Sequence, residues 1–229
     1  MDKFKIHKAH KMSEWIENQV TEWALELIQN HFGVDGPEEL SRNQLDEIIV
    51  QWEEMLEYVD KYPEAGMLGL LLLYPAQNDN YEHYIQCAGG QFTNGKPDHF
   101  GSGLVLENKS QFKQDLEVDD GRYLTVREVA WTTFGGCYLR RSFIDTVGDF
   151  SPEYEWTYNR DVDYCLKARE AGEHIYQIPV RFLHHESRDN KRIKDQSKAG
   201  MEMRNLQTLL AKWANSKFYK TLDKEIKSG

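Results

Sequence analysis

The feature that most constrains the fold is the apolar run Met-Leu-Gly-Leu-Leu-Leu-Leu-Tyr at 67–74, which is the longest in the chain. A helix that crosses a bilayer needs about 20 apolar residues, so this run is too short to be a membrane span. Its length is that of a strand, and Pro75 stops it directly afterwards. The run therefore predicts a buried β-strand.

Two helical patterns precede this strand. Apolar residues recur at three- and four-residue spacing over residues 13–32, which is typical of one face of an amphipathic helix. Ser41 with Gln44 has the spacing of a capping box and predicts the start of a second helix that continues to Val59. Residues 1–60 are therefore predicted to form a helical hairpin whose apolar stripes serve core or partner packing.

The pattern after residue 74 alternates between strands, turns and short helices. A strand is expected to run into the turn at Gly135 and Gly136, and two helices are expected to end at Gly148 and Gly172. A strand follows over 174–184. The last helical pattern spans 196–226, with one apolar side formed by Met203, Leu206, Leu209, Leu210 and Trp213.

The acidic composition bears on which kinds of molecule the protein can bind. The chain has 229 residues, and 38 Asp plus Glu against 28 Lys plus Arg give a net charge of -10, which argues against nucleic acid as a partner. The N-terminal segment is basic and lacks the apolar stretch of a signal peptide. Three widely separated cysteines form neither a disulfide framework nor a zinc motif. We expect a globular, cytoplasmic protein without a transmembrane segment.

Asp161 and Asp163 lie two residues apart where a helix is predicted to begin. A carboxylate at this place accepts hydrogen bonds from unpaired backbone N–H groups and is favoured by the helix dipole, so Asp161 alone reads as an N-cap. The two side chains point in different directions, so one can cap the helix while the other faces a cleft. The pair therefore allows either a structural or a catalytic interpretation.

Two other segments carry candidate chemistry. His184 and His185 follow a strand, and the ends of strands in open α/β sheets are where ligand sites form; they are metal-ligand or acid–base candidates, or a hydrogen-bonded strand edge. The Gly135–Gly136 turn allows a ligand to approach the backbone closely, and Arg140 with Arg141 could neutralise an anion, although a tight strand-to-helix turn explains the same residues.

The order of the motifs resembles the second half of a family 2 glycosyltransferase of the GT-A fold, from about residue 45 to about residue 190. The segments that carry the resemblance are, in sequence, YP, CAGG, GGCYLRR, FIDTVGDFSPEY, RDVDYCLKAREAG and IPVRFLHHES. It implies an α/β fold, a partial GT-A-like mixed sheet with flanking helices, over 61–195. The helical hairpin of 1–60 would precede this domain, and a helical tail over 196–229 would follow it.

The resemblance also implies an activity and a set of site residues. Family members transfer a sugar from a nucleotide-sugar to an acceptor hydroxyl with inversion, and the matching aspartate, Asp161, would be the general base. The family's strand-end histidine helps to hold Mn²⁺ or Mg²⁺ on the diphosphate, a role that falls to His184, with His185 as the alternative. The expected substrate-binding residues are Gly135, Gly136, Cys137, Arg160 and Asp163.

The chain departs from the family at two places. Nothing in residues 1–60 resembles the nucleotide-binding half or its metal-binding Asp-x-Asp motif, so the clamp for the diphosphate is incomplete. Arg160 replaces the glutamate before the base, and we expect it to pair with Asp161 and lower the pKa of that carboxyl.

Three interpretations follow from these departures. The first is an enzyme that acts on a carbohydrate or lipid-linked acceptor, alone or with a partner chain that supplies the donor site. The second is a non-catalytic carbohydrate-binding or assembly module, and the third is one part of a longer or split enzyme. We also expect an exposed apolar edge that contacts a protein partner or a second copy of the chain.

Overall fold

The computed structural model describes residues 42–74, 84–103, 122–155, 158–184, 195–216 and 219. The helix predicted over 13–32 and the residue His185 lie outside these ranges. The chain divides into two units, Met1–Glu54 and Met55–Gly229. The prediction placed boundaries at residues 60 and 195, whereas the observed boundary falls inside a helix and the C-terminal helix lies in the same unit as the sheet.

The described residues form four α-helices, one 3₁₀ turn and seven strands. The helices are α1 (Arg42–Lys61), α2 (Arg141–Val147), α3 (Arg160–Glu170) and α4 (Asp195–Trp213), and a 3₁₀ turn spans Arg122–Leu124. The strands are β1 (Ala65–Leu73), β2 (Ile85–Cys87), β3 (Gly90–Thr93), β4 (Lys96–His99), β5 (Arg127–Glu128), β6 (Cys137–Leu139) and β7 (His174–Leu183).

The predicted apolar strand is the centre of a mixed five-stranded sheet. All nine residues of β1 are buried. One side of β1 pairs in parallel with β7, while its other side pairs antiparallel with β6 at Met67–Gly69 and with β2 at Leu72–Leu73. β5 pairs antiparallel with the outer side of β7, and β3 with β4 forms a separate hairpin. The α/β class with a mixed sheet and flanking helices is thus confirmed.

Arg140 joins the end of α1 to the sheet. Its Nη2 donates to the carbonyl oxygens of Val59 at 2.6 Å and Tyr62 at 3.2 Å, and its Nε donates to that of Ala65 at 2.7 Å. The carbonyls at a helix C-terminus have no intrahelical donors, and a guanidinium carries enough N–H groups to satisfy several of them. Of the two interpretations that the sequence left open for Arg140, an anion ligand or a structural residue, these hydrogen bonds support the structural one.

Two clusters of buried apolar side chains can be described among the residues that the structure covers. The larger lies where the helices α2, α3 and α4 meet the sheet, and its largest fully buried side chains include Trp131, Phe143, Leu166 and Leu209. The smaller contains Leu71, Leu73, Ile85, Ala88 and Tyr123. The pairing of β1 with β7 is irregular between Gly69 and Leu71, where β7 contains Pro179, which cannot donate to the sheet.

The buried face of α4 differs from the predicted one. Its buried residues are Met201, Asn205, Leu209 and Trp213, which repeat every four residues. Met203, which was placed on the apolar side, is 55% exposed, so that prediction is wrong. The error arises because the true stripe includes a polar residue, and hydropathy gives no reason to place an asparagine inside.

None of the described helices has the length and apolar character that a membrane span requires.

Candidate functional site

A cavity of about 260 Å³ opens at the start of α3. Three segments form its wall: the turn before β6, the loop after α2, and the first residues of α3. The turn lies beside the carboxyl-terminal half of β1, since the Leu70 amide donates to the Gly136 carbonyl at 3.0 Å. This is the edge at which open α/β sheets place ligands. The lining residues are Thr133, Phe134, Gly135, Phe150, Tyr158, Arg160 and Asp161.

Asp161 supplies the carboxylate of this cavity. It is half-buried, and its Oδ1 accepts a hydrogen bond from the Val162 amide at 2.9 Å. Burial raises the pKa of Asp161, against the lowering effects of the Val162 amide, the charge of His99 and a hydrogen bond with Thr133. Because a carboxylate with a raised pKa holds a proton more tightly, Asp161 is a stronger base than an exposed aspartate.

Asp161 is not the N-cap that one interpretation of the sequence made it. The cap position is occupied by Asn159, and α3 begins at Arg160, so Asp161 lies in the first turn. There its charge is close to the free amides of the helix start. The position keeps the favourable helix electrostatics and leaves the carboxylate to face the cavity.

The backbone just before α3 adopts an uncommon conformation. Tyr158 and Asn159 have φ angles of 55° and 64°, in the left-handed region. This region is unfavourable for a bulky residue such as tyrosine, and such strain clusters at functional sites. In the present fold the strained residue is one that lines the cavity.

Aromatic rings form one side of the cavity. Phe134 and Phe150 meet edge to face with centroids 5.1 Å apart, and both pack against Tyr164, at 5.6 and 4.6 Å. The Arg160 guanidinium lies over the Phe150 ring, 5.2 Å from its centroid. The packing of three rings holds this wall in a defined geometry.

The expectation that Arg160 lowers the pKa of Asp161 is wrong, since burial raises the pKa of that carboxyl. Adjacent residues on a helix diverge by about 100°. The guanidinium of Arg160 follows its own direction onto Phe150, where the ring face attracts it. The cavity therefore offers one carboxylate and one guanidinium at separate points of its wall.

His184 lies behind the same glycine turn. A Cβ on Gly135 would come within 3.1 Å of the His184 ring, so the imidazole packs directly against this glycine. Its Nδ1 donates to Gln86 Oε1 at 2.7 Å, and Gln86 is itself buried. Asp161 and His184 thus contact the two ends of one turn, Asp161 through Thr133 and His184 through Gly135.

The described residues do not complete a metal site. Among the described residues, no group of three or more His, Cys, Asp and Glu side chains converges. The Nδ1 of His184 is already hydrogen-bonded to Gln86. His185 lies outside the described residues. Mn²⁺ or Mg²⁺ binding stays a prediction.

Asp163 occupies the other side of α3. It is 1% exposed and accepts hydrogen bonds from Ser151 at 2.5 Å and Tyr154 at 3.0 Å. From α4 it accepts a hydrogen bond from Trp213 Nε1 at 2.8 Å and forms an ion pair with Lys212 at 3.0 Å. Two positions along a helix rotate a side chain by about 200°. Asp163 therefore joins α3 to α4 and does not line the cavity.

Gly136 and Cys137 also lie outside the cavity wall. Gly136 packs against Leu72, since a Cβ there would lie 2.9 Å from a Leu72 methyl group. Cys137 is buried within β6, and burial raises the pKa of its thiol to about 12. Of the residues assigned to substrate from the sequence, Gly135 and Arg160 line the cavity, together with the proposed base.

Sequence reasoning did not find Thr133, Phe134, Phe150 and Tyr158. All four lie in loops, where neither a helical nor a strand period marks a shared face. The only signal was adjacency, because Thr133 and Phe134 directly precede the Gly135–Gly136 turn and Tyr158 lies close to Asp161 in the sequence. The meeting of the segments is a property of the fold.

Comparison with known proteins assigns no family. No protein-family model matches the chain, and no curated protein is significantly similar to it.

Proposed function

We propose that this protein is a glycosyltransferase-like protein that transfers a sugar from a nucleotide-sugar to an acceptor hydroxyl with inversion. One observation carries the proposal: Asp161, whose motif resembles that of the family's general base, lies in the wall of a cavity lined by aromatic rings. Aromatic faces beside a carboxylate suit a saccharide, which presents apolar C–H faces and hydroxyl donors.

The chemistry assigned to Asp161 is proton removal. The acceptor hydroxyl donates a hydrogen bond to the carboxylate, and its oxygen attacks the anomeric carbon of the donor sugar as the proton passes to Asp161. The bond from that carbon to the nucleoside diphosphate breaks, and its electron pair leaves with the diphosphate. A single displacement inverts the anomeric centre. The raised pKa of Asp161 supports this role.

The size of the cavity favours the acceptor over the donor. Its volume of about 260 Å³ lies below the range of roughly 300–1,000 Å³ typical of sites for drug-sized ligands. A single sugar unit is the better match than a whole nucleotide-sugar. We therefore assign this cavity to the acceptor, carbohydrate or lipid-linked, and propose that a partner protein or a second copy of the chain helps to hold the donor. The three free cysteines support a cytoplasmic location.

The second candidate is a carbohydrate-binding or assembly module without catalysis. The rings of Phe134 and Phe150 would stack on a saccharide whether or not transfer follows. Stacking of this kind needs the rings alone and no general base. Both candidates bind the saccharide in the same way. They differ in whether the bound hydroxyl is then deprotonated and glycosylated.

The deciding experiment is a transfer and hydrolysis screen of nucleotide-sugars with p-nitrophenyl glycosides as acceptors, with Mn²⁺ and with Mg²⁺. Asp161→Asn should lower transfer by about 10²–10⁴-fold, since the amide cannot take the proton. Asp145→Asn is the matched control, because Asp145 is exposed on α2 and pairs with Arg141. Glycoside binding without transfer would favour the binding module. Equal transfer by wild type and Asp161→Asn would exclude Asp161 as the base.

A further inference from the structure

A single buried amide on α4 holds the loop that leads into the cavity. Asn205 is 1% exposed. Its Oδ1 accepts from the Glu155 amide at 3.0 Å, and its Nδ2 donates to the Glu155 carbonyl at 3.0 Å and to the Tyr158 carbonyl at 3.1 Å. One side chain thus fixes both residue 155 and residue 158.

The second of these residues is the strained one. Tyr158 has a φ of 55°, lines the cavity, and is followed by Asn159, the cap of α3, with a φ of 64°. A non-glycine residue stays in this region only when its surroundings over-determine it. The hydrogen bond from Asn205 to the Tyr158 carbonyl is a contact that does so, because it fixes the orientation of the peptide that follows Tyr158.

The neighbouring ion pair is a weaker restraint. Arg204 Nη2 donates to Glu155 Oε2 at 2.8 Å, but the two side chains are 58% and 46% exposed. Exposed ion pairs contribute little to stability and are screened by salt. Buried hydrogen bonds are costly to lose because they leave polar groups without partners. Asn205 is therefore a stronger restraint on the backbone of Glu155 and Tyr158 than Arg204 is.

We propose that Asn205 is a positioning residue of the acceptor site: by holding the Tyr158 carbonyl it places the Tyr158 side chain and the start of α3 around the acceptor. The link to the acceptor rests on the proposed function, whereas the link to the cavity does not. An asparagine suits this position because its amide accepts from the Glu155 N–H group and donates to the Glu155 and Tyr158 carbonyls. An aspartate at position 205 would still accept from the Glu155 amide. In place of the Nδ2 donor, however, it would set a second carboxylate oxygen against the Glu155 and Tyr158 carbonyls, which repel it.

The test compares Asn205→Asp with Leu209→Val, which trims a fully buried apolar side chain one turn further along the same helix and leaves the hydrogen bonds of Asn205 in place. Hydrogen exchange of the full chain is followed at the amides of residues 158–163. We expect Asn205→Asp to accelerate exchange there at least tenfold, and Leu209→Val to leave it within twofold while lowering the thermal midpoint. Arg204→Gln should also stay within twofold.

The second measurement is the Kd of p-nitrophenyl glycosides, which should rise about tenfold in Asn205→Asp and stay unchanged in Leu209→Val. Equal exchange in wild type and Asn205→Asp, equal acceleration by Leu209→Val, or faster exchange with an unchanged Kd would each overturn the proposal. If no glycoside binds the wild type, the acceptor assignment fails, and the exchange measurement alone then decides whether Asn205 positions the cavity wall.

Discussion

Asp161 and Asp163 show how two identical side chains take different roles within one helical turn. The half-turn between them directs Asp161 into the cavity and Asp163 into the contact with α4. Burial raises the pKa of Asp161. Asp163 instead has four donors within hydrogen-bonding distance. The presence of the pair was evident from the sequence, but the division of its roles depends on what each face of α3 contacts.

Asp161→Asn should make the protein more stable at neutral pH. Because the pKa of Asp161 is higher in the folded than in the unfolded state, its stabilising contribution is complete below about pH 3.9 and is lost as pH rises through the folded pKa. The neutral amide avoids this loss, so we expect the Tm of Asp161→Asn to exceed that of wild type at pH 7.

The measurement for Asp161→Asn is a thermal melt between pH 3 and pH 8, with Asp145→Asn as the control. The difference from wild type should shrink as the pH falls. A variant less stable than wild type at pH 7 would contradict this account of the raised pKa.

Among the elements, α4 depends on a buried carboxylate for its attachment to α3. Asp163→Ala removes the acceptor of Ser151, Tyr154 and Trp213 Nε1, while Lys212 keeps its ion pair with Glu153 at 2.9 Å. A buried donor left without a partner costs about 1–3 kcal/mol, so urea unfolding should show a loss of about 3 kcal/mol or more. Asp145→Ala, an exposed change, should stay within about 0.5 kcal/mol. A loss below about 1 kcal/mol for Asp163→Ala would contradict the attachment.

A second junction joins β5, α3 and β7 through Glu128. Its carboxylate accepts from Arg169 and from His174 Nδ1, the latter at 2.8 Å. Burial alone would raise the pKa of Glu128, but the hydrogen bonds from Arg169 and His174 lower it overall. The contribution to stability is therefore present above about pH 4.3 and is lost as pH falls through the folded pKa.

Glu128→Gln should consequently destabilise the protein by about 1 kcal/mol at pH 7 and by less at pH 3. Urea unfolding at the two pH values checks the change, and Glu170→Gln, at an exposed position of α3, is the control. The same destabilisation at both pH values would show that the ionised carboxylate is not the stabilising group.

Elements with a strong local signal were predictable. The apolar run gave β1, glycines marked the ends of α2 and α3, and the strand before His184 was found within about a residue. The Gly- and Asn-rich turns around residues 88–103 allowed hairpins or a loop excursion, and the structure forms the hairpin of β3 and β4 at Asn94 and Gly95. The two-residue β5 is too short for a period to be read. Asn205 and the loop aromatics were missed because tertiary contacts alone place them at the site.

For the whole molecule, we expect stability to fall on acidification. Among the described residues, the pKa values of Glu153, Glu155 and Glu128 are lowered, the first by Lys212 and the second by Arg204. Each of these carboxyls therefore stabilises the fold above about pH 4.3 and ceases to do so as it protonates. Asp161 acts in the opposite direction. Thermal melts should show Tm decreasing from pH 6 to pH 3, and a rising Tm over this interval would contradict the expectation.

The parallel pairing of β1 with β7 has a consequence for synthesis. These strands are neighbours in space, yet a hundred residues separate Leu73 from His174. The central pair cannot close until the ribosome has released most of the chain, and a parallel pairing across so long a segment is slow to form. Until then the nine apolar residues of β1 are exposed to solvent. We therefore expect chaperones to bind the nascent chain.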